Sequence, residues 1–186
     1  MRNDDCQLCE LHLKTREVCK WGYGNTDADL MIIHDTHPSR QADKLLTHVL
    51  THLSVDVDDI YQTSAVKCGI PRNKKYRPKQ MGEFVNECFT YLEDELQDVD
   101  PSVVLIMGSL SLVELVGEKG ITKWSGIETS SIYEDAKMYA SVSPAYVLRN
   151  PNKEVWLAQA LYIALKQAGY NPKPTPQTER YPYEVF

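Results

Sequence analysis

SVVLIM, Ser102–Met107, decides the fold. Five apolar residues in succession stand between the turn-forming Asp100–Pro101 and Gly108. A run so short, rich in β-branched side chains and bounded by turn residues, reads as a buried strand. Three further runs share that character: DLMII (Asp29–Ile33), DIYQTSAV (Asp59–Val66) and MYASV (Met138–Val142). The stretches between them carry helical periodicity. One covers Ala42–Leu53, another Pro78–Leu96 with Met81, Phe84, Val85, Cys88, Leu92 and Leu96 on one face, and a third Ser109–Val116. After the last strand, Asn152 is placed to cap a helix over Lys153–Ala168, in which Val155, Ala158, Tyr162 and Leu165 recur at helical spacing. Strands alternating with helices predict an α/β sandwich with a mainly parallel sheet. In such sheets ligands sit at the carboxyl ends of the strands, here the segments after Ile33, Val66, Met107 and Val142.

A chain of 186 residues is long enough for one well-buried core and short for two. Residues 1–170 are therefore expected to form one domain, followed by a proline-rich tail, 171–186. That tail, NPKPTPQTERYPYEVF, suits a disordered end or a surface strap, or a docking peptide for a partner protein. The net charge of -6 argues against a protein that coats nucleic acid nonspecifically, although a local basic patch still binds phosphate within an acidic whole. No apolar run approaches a membrane span, and MRNDDCQLCELHL is too acidic for a signal peptide, so an intracellular, cytoplasmic location is expected.

Five cysteines in such a chain read as metal ligands plus a spare. Cys6 and Cys9 form a C-x-x-C with no preceding strand, unlike a thioredoxin-type pair; Cys68 and Cys88 complete four thiolates, suited to zinc or to an iron–sulfur cluster. Cys19 is the spare. PRNKKYRPK, Pro71–Lys79, concentrates Arg72, Lys74, Lys75, Arg77 and Lys79 around Tyr76, with Lys67 just before Cys68. Such a loop positions nucleic acid through its phosphates without reading sequence. Four of the five histidines, His34, His37, His48 and His52, fall within 19 residues, and with Asp35 they outline a histidine-cluster metal hydrolase. No H-E-x-x-H is present, and neither Thr47 nor Val49 supplies a general base.

From Cys6 to about Gly169 these pieces, in order, resemble the iron–sulfur (family 4 type) uracil-DNA glycosylases. The ordered set is C-x-x-C, NTDADLMII leading into a first active-site loop, IYQTSAVKC, the basic loop to Cys88, DPSVVLIMGSLS, and SPAYVLRNP before a helix with Trp156. The resemblance implies a three-layer α/β/α sandwich with a four-stranded sheet, and a 4Fe-4S cluster held by Cys6, Cys9, Cys68 and Cys88, with zinc as the alternative. It also implies DNA binding by a final loop that wedges into the minor groove while a nucleotide is flipped out. Tyr146, Val147, Leu148 and Arg149 would form that loop, and the turn at Gly108 and Ser109 would offer backbone N–H groups to a phosphate.

The active-site motifs depart from that family. Ser143 stands where the family's HPA or HPS motif has the histidine that donates to the uracil oxygen. Ser64 replaces the asparagine of TNVVKC that reads the base edge. HDTHP, His34–Pro38, replaces GEAPG, and no aromatic stands between Pro38 and Leu45 to stack on the base; Asp35 falls where the family has its carboxylate. Two readings follow. One is a DNA-binding iron–sulfur protein of DNA repair or replication with weak or lost uracil excision, an accessory or processivity-type module docking a DNA polymerase through its tail. The other is an active DNA glycosylase, a hydrolase of the N-glycosidic bond of uracil or another modified base, with a pocket rebuilt around Asp35, His34 and His37.

Overall fold

The computed structural model describes residues 6–15, 17–71 and 73–179. In chain order they form β1 (Tyr23–Gly24), β2 (Leu30–Thr36), α1 (Arg40–His52), β3 (Tyr61–Val66), α2 (Pro78–Val99), β4 (Val103–Met107), α3 (Ser109–Ser111), α4 (Ile121–Trp124), β5 (Glu128–Thr129), β6 (Lys137–Ser141), α5 (Pro144–Arg149), α6 (Glu154–Gln167) and α7 (Pro176–Glu179). The sheet order is β1, β3, β2, β4, β6, β5. Its four inner strands are parallel, and every residue of β3 and β4 is buried, as a sheet covered on both faces requires.

Strand order dictates the layers. From β2 the chain moves to one side, to β3; from β3 it steps back across β2 to β4, and from β4 on to β6. Right-handed crossovers in opposite directions put α1 and α2 on opposite faces. Accordingly α2 packs on β3 and α3, whereas α6 packs on β4 and β6 beside α1 and α5. The result is the expected α/β/α sandwich. The carboxyl ends of β2 and β4 are the point where successive connections diverge, the crevice in which open α/β sheets hold ligands.

The sheet has six strands where four were expected. Both additions are two-residue antiparallel edges, β1 on β3 and β5 on β6, too short to carry a period-two pattern in the sequence. Gly24 is obligatory in the first: its φ is +109, and a Cβ there would lie 2.0 Å from the Ile60 carbonyl oxygen. β2 also runs three residues past Ile33, so His34, Asp35 and Thr36 are strand rather than loop, His34 pairing with Ser64 and Met107. Two further expectations are corrected. Asn152 caps nothing, because Pro151 starts a separate 3-10 turn and the helix begins at Glu154. The Ser109–Val116 helix is three α residues followed by a π turn, Leu112–Val116.

The tail is tied down as far as Glu179. Pro172 is buried, the Lys173 N–H donates to the Leu53 carbonyl at 2.8 Å, and α7 packs on α6. Residues 180–186 lie outside the described residues. Among the described residues, no helix is long and apolar enough to cross a membrane.

Lys67 is corrected as well. It is no part of a surface patch: Lys67 and Glu95 of α2 are each 1% exposed and form an ion pair inside the protein. Lys67 Nζ also donates to Thr63 Oγ1 at 2.6 Å, Thr63 donates to Glu95 Oε2 at 2.5 Å, and the Gly22 N–H donates to Glu95 Oε1 at 2.6 Å. Burial pushes the Lys67 ammonium below its ordinary range, and the carboxylate opposes that. A buried pair so fully hydrogen-bonded holds β1, β3 and α2 in register. Glu95→Ala is expected to lower the unfolding free energy by about 3–5 kcal/mol in urea titration, by leaving a buried cation unpaired. Lys67→Met combined with Glu95→Leu is expected to cost less than that single change.

Candidate functional site

Asp35 is the penultimate residue of β2, at the divergence point, and its carboxylate lies against the turn that follows β4. Its Oδ1 accepts from the Ser111 N–H at 2.7 Å and the Ser111 hydroxyl at 2.8 Å, and the Leu110 N–H donates to the same carboxylate. Gly108 makes this approach possible: its φ is +130, and a Cβ there would stand 2.2 Å from Asp35 Oδ2. Burial pushes the Asp35 carboxyl up, and the donors from α3 pull it back down. The first backbone donors of α3 therefore serve a side chain of the protein itself. Gly108 N–H is also occupied, donating to the Ser141 carbonyl at 3.1 Å. The expectation that Gly108 offers its N–H to a DNA phosphate is thus corrected; Ser109 remains exposed.

On the neighbouring strand Ser64 is fully buried. His37 Nε2 faces the Lys67 carbonyl oxygen at 2.9 Å, so that nitrogen carries the proton and donates. His37 Nδ1 then accepts from the Ser64 hydroxyl at 3.0 Å. His34, buried beside them, donates from Nε2 to Gln62 Oε1 at 3.1 Å. Burial lowers the pKa of both imidazoles. His48 and His52 lie apart on α1, their ring centroids 4.2 Å from each other, with His52 Nδ1 donating to the His48 carbonyl at 2.8 Å. They line a shallow surface groove with Glu154 and Thr175, away from Asp35. Among the described residues no three His, Cys, Asp or Glu side chains are arranged to hold a metal ion, so the five-residue histidine hydrolase site is not assembled.

Ser143 is the N-cap of α5, its hydroxyl oxygen accepting the Tyr146 N–H at 3.2 Å. The segment expected to be an exposed loop is that helix. Val147 is buried at 2% exposure and belongs to the core, Tyr146 is half-buried against it, and only Leu148 and Arg149 project. In the basic loop Lys74, Lys75, Arg77 and Lys79 are exposed, whereas Tyr76 packs edge-on against Phe84; Arg72 lies outside the described residues.

The cysteines converge. Cys6, Cys68 and Cys88 are buried and Cys9 is partly so. Backbone N–H groups of Leu11 and His12 donate to Cys9, that of Cys19 to Cys68 Sγ at 3.4 Å, and that of Lys67 to Cys88 Sγ at 3.5 Å. Burial holds the Cys9 and Cys68 thiols up and pushes Cys88 up to about 12, so the free thiols keep their protons until an electrophile takes them. N–H donors aimed at sulfur favour thiolate, the form a metal ligand takes, although among the described residues the cysteines too are not gathered around a single ion.

Residues 21–166 match the family model of the uracil DNA glycosylase superfamily. The chain belongs to that superfamily. Among curated proteins it is 27% identical over 163 residues to the type-4 uracil-DNA glycosylase of Thermotoga maritima, covering 81% of each chain. It is 30% identical over 114 residues to the Archaeoglobus fulgidus type-4 enzyme, covering 55% of this chain and 54% of that one. It is also 28% identical over 166 residues to a DNA polymerase of Bacillus phage SP01, covering 82% of this chain and 17% of the polymerase. Within this glycosylase-superfamily site the sequence pointed to Asp35, Ser64 and Ser143 but not to their partners. Ser111 carried a weak signal, three residues after Gly108; Gln62 carried none.

The histidines set a pH dependence. Burial makes His34 and His37 harder to protonate when folded, while the unfolded chain takes up protons as pH falls through 6.5. The unfolded state therefore binds more protons below that pH, and stability falls on acidification. Urea unfolding at pH 5.5 against pH 7.5 is expected to show this loss, reduced in His34→Gln.

Proposed function

We propose that this chain is a DNA-binding, uracil-DNA-glycosylase-like iron–sulfur protein of DNA repair or replication in which uracil excision is weak or lost. The observation that carries this reading is that the protein itself occupies the polar atoms of the groups placed for chemistry. Asp35 Oδ1, one of the two carboxylate oxygens able to hold water, accepts two bonds from Ser111. Ser143 caps a helix, and Ser64 is sealed beneath His37. Bond cleavage from sugar to base leaves negative charge on the departing uracil, and no histidine stands at Ser143 to meet it. Loss of one such donor typically costs about 100- to 1000-fold in rate.

The exposed Leu148 and Arg149 at the end of α5 suit a minor-groove wedge and its anchor, and Lys74, Lys75 and Arg77 suit the phosphate backbone. Cys6, Cys9, Cys68 and Cys88 would hold a 4Fe-4S cluster. Bound there, it cross-links the amino-terminal segment, the end of β3 and α2, behind the basic loop. A cluster suits these residues better than zinc, because each thiolate takes its own iron and the four sulfurs need not close on one ion. The match to part of a phage DNA polymerase supports a replication role, since a unit like this chain occurs within that polymerase. Contact with a polymerase would fall to the proline-rich tail, 171–186.

The second reading, a rebuilt glycosylase pocket, rests on the Ser64–His37 hydrogen bond, which leaves a neutral imidazole beside the site. A gel assay of uracil release from single- and double-stranded oligonucleotides separates the two. Release at least ~100-fold slower than by a type-4 enzyme is expected. Fast release abolished by Asp35→Asn overturns the first reading, and fast release abolished by His37→Ala establishes the second. In DNA-binding titrations, Arg149→Ala is expected to weaken affinity. The triple change of Lys74, Lys75 and Arg77 to alanine is expected to flatten the salt dependence by about 0.9 for each phosphate that is no longer neutralised.

A further inference from the structure

Trp156 has a cation seated on its ring. The residue is half-buried at the start of α6, packed against the core, and Lys153 Nζ stands 3.6 Å from its ring centroid. The ring quadrupole attracts an ammonium placed there, but only weakly where water reaches the pair. Among the described residues no carboxylate forms an ion pair with Lys153. Glu154, the next residue, instead lines the groove with His48 and His52 towards α1. The Lys153 charge is therefore available to an anion from outside.

This pair adjoins the residues that suit the minor groove. Asn150 ends α5, its Nδ2 donating to the Tyr146 carbonyl at 3.0 Å, and its own carbonyl accepts the Lys153 N–H at 2.9 Å. One pinned turn thus joins Leu148 and Arg149 to Lys153. From the other side the Ser125 hydroxyl donates to the Trp156 carbonyl at 3.4 Å, which holds the end of α4, with exposed Lys123, beside the same stretch of α6. Cations bordering an aromatic ring form the kind of surface that receives single-stranded nucleic acid, the phosphates going to the cations and a base to the ring.

We propose that the Trp156 ring is a platform for one unpaired base of a DNA strand passing α5, covered by Lys153 in the free protein. The proposal rests on the DNA-binding reading above. A phosphate of the strand draws the Lys153 ammonium off the ring, and the base beside that phosphate stacks in its place. No covalent bond changes. Such a platform takes single-stranded DNA without reading sequence, because every base has a face to stack.

Full-length protein would be titrated by fluorescence anisotropy against two labelled single strands of equal length, one ordinary and one whose sugars carry no bases. Far-UV circular dichroism would confirm that each variant folds. Wild type is expected to bind the ordinary strand more tightly. Trp156→Leu is expected to lose about 10-fold in affinity for the ordinary strand and little for the baseless one, while Trp156→Phe keeps most of the affinity. Lys153→Met is expected to flatten the salt dependence by about 0.7. Wild-type affinity in Trp156→Leu overturns the proposal, and so does an equal loss on both strands, which marks a structural role for the ring. An unchanged salt dependence in Lys153→Met overturns it too. If Trp156→Leu does not fold, tryptophan emission decides: the ordinary strand is expected to quench wild type more than Trp156→Phe, and equal quenching overturns the proposal. Binding to duplex but to neither single strand overturns this proposal alone. Wild-type protein that binds neither single strands nor duplex overturns the DNA-binding reading and this one with it.

Discussion

Lys67 uses every polar atom it has, and the rest of the site hangs on it. Its N–H holds Cys88, its carbonyl oxygen accepts from Lys20 and His37, and its ammonium pairs with Glu95 and Thr63. Cys68 follows it directly. One residue at the end of β3 thereby ties the thiol cluster, the pocket imidazole and α2 to a single backbone position. A charge so deep in the protein is stable only when fully paired, so its partners have little freedom to move. The geometry of the cysteines and that of the pocket are coupled through it.

The second constraint is the meeting of β2 and β4. Connections that leave in opposite directions open a crevice there, and Asp35 fills it by accepting the first donors of α3. Gly108 is what lets a carboxylate come that close. The carboxylate answers the partial positive charge of the Leu110 and Ser111 N–H groups. The groups at the pocket now satisfy one another, whereas Leu148, Arg149 and the basic loop remain turned outward.

Much of this is legible in residue order. Four uncharged or weakly polar runs mark the four inner strands to within a few residues, since a strand buried on both faces admits little else. The C-x-x-C, the two later cysteines and the substituted motifs at Ser64 and Ser143 are equally plain. The edge strands are not, being two residues each. Val147 escapes a reading of the sequence because the segment Tyr146–Arg149 looks like an exposed loop until Ser143 caps it as a helix, which turns one side chain inward. Lys67 escapes it because a lysine near a basic loop looks solvent-bound unless its buried partner, 28 positions away, is known.

The sequence by itself determined the alternation of strand and helix, and hence the layered sheet, because burial periodicity and turn residues act over a few neighbouring positions. It also determined which residue types were available at the strand ends. Only the tertiary structure decided what those residues do: that Asp35 is held by α3, that Ser64 lies under His37, and that Glu95 neutralises Lys67. Each of those joins distant parts of the chain. Its energy depends on distance, direction and exclusion of water, and none of these exists until the sheet has brought the parts together.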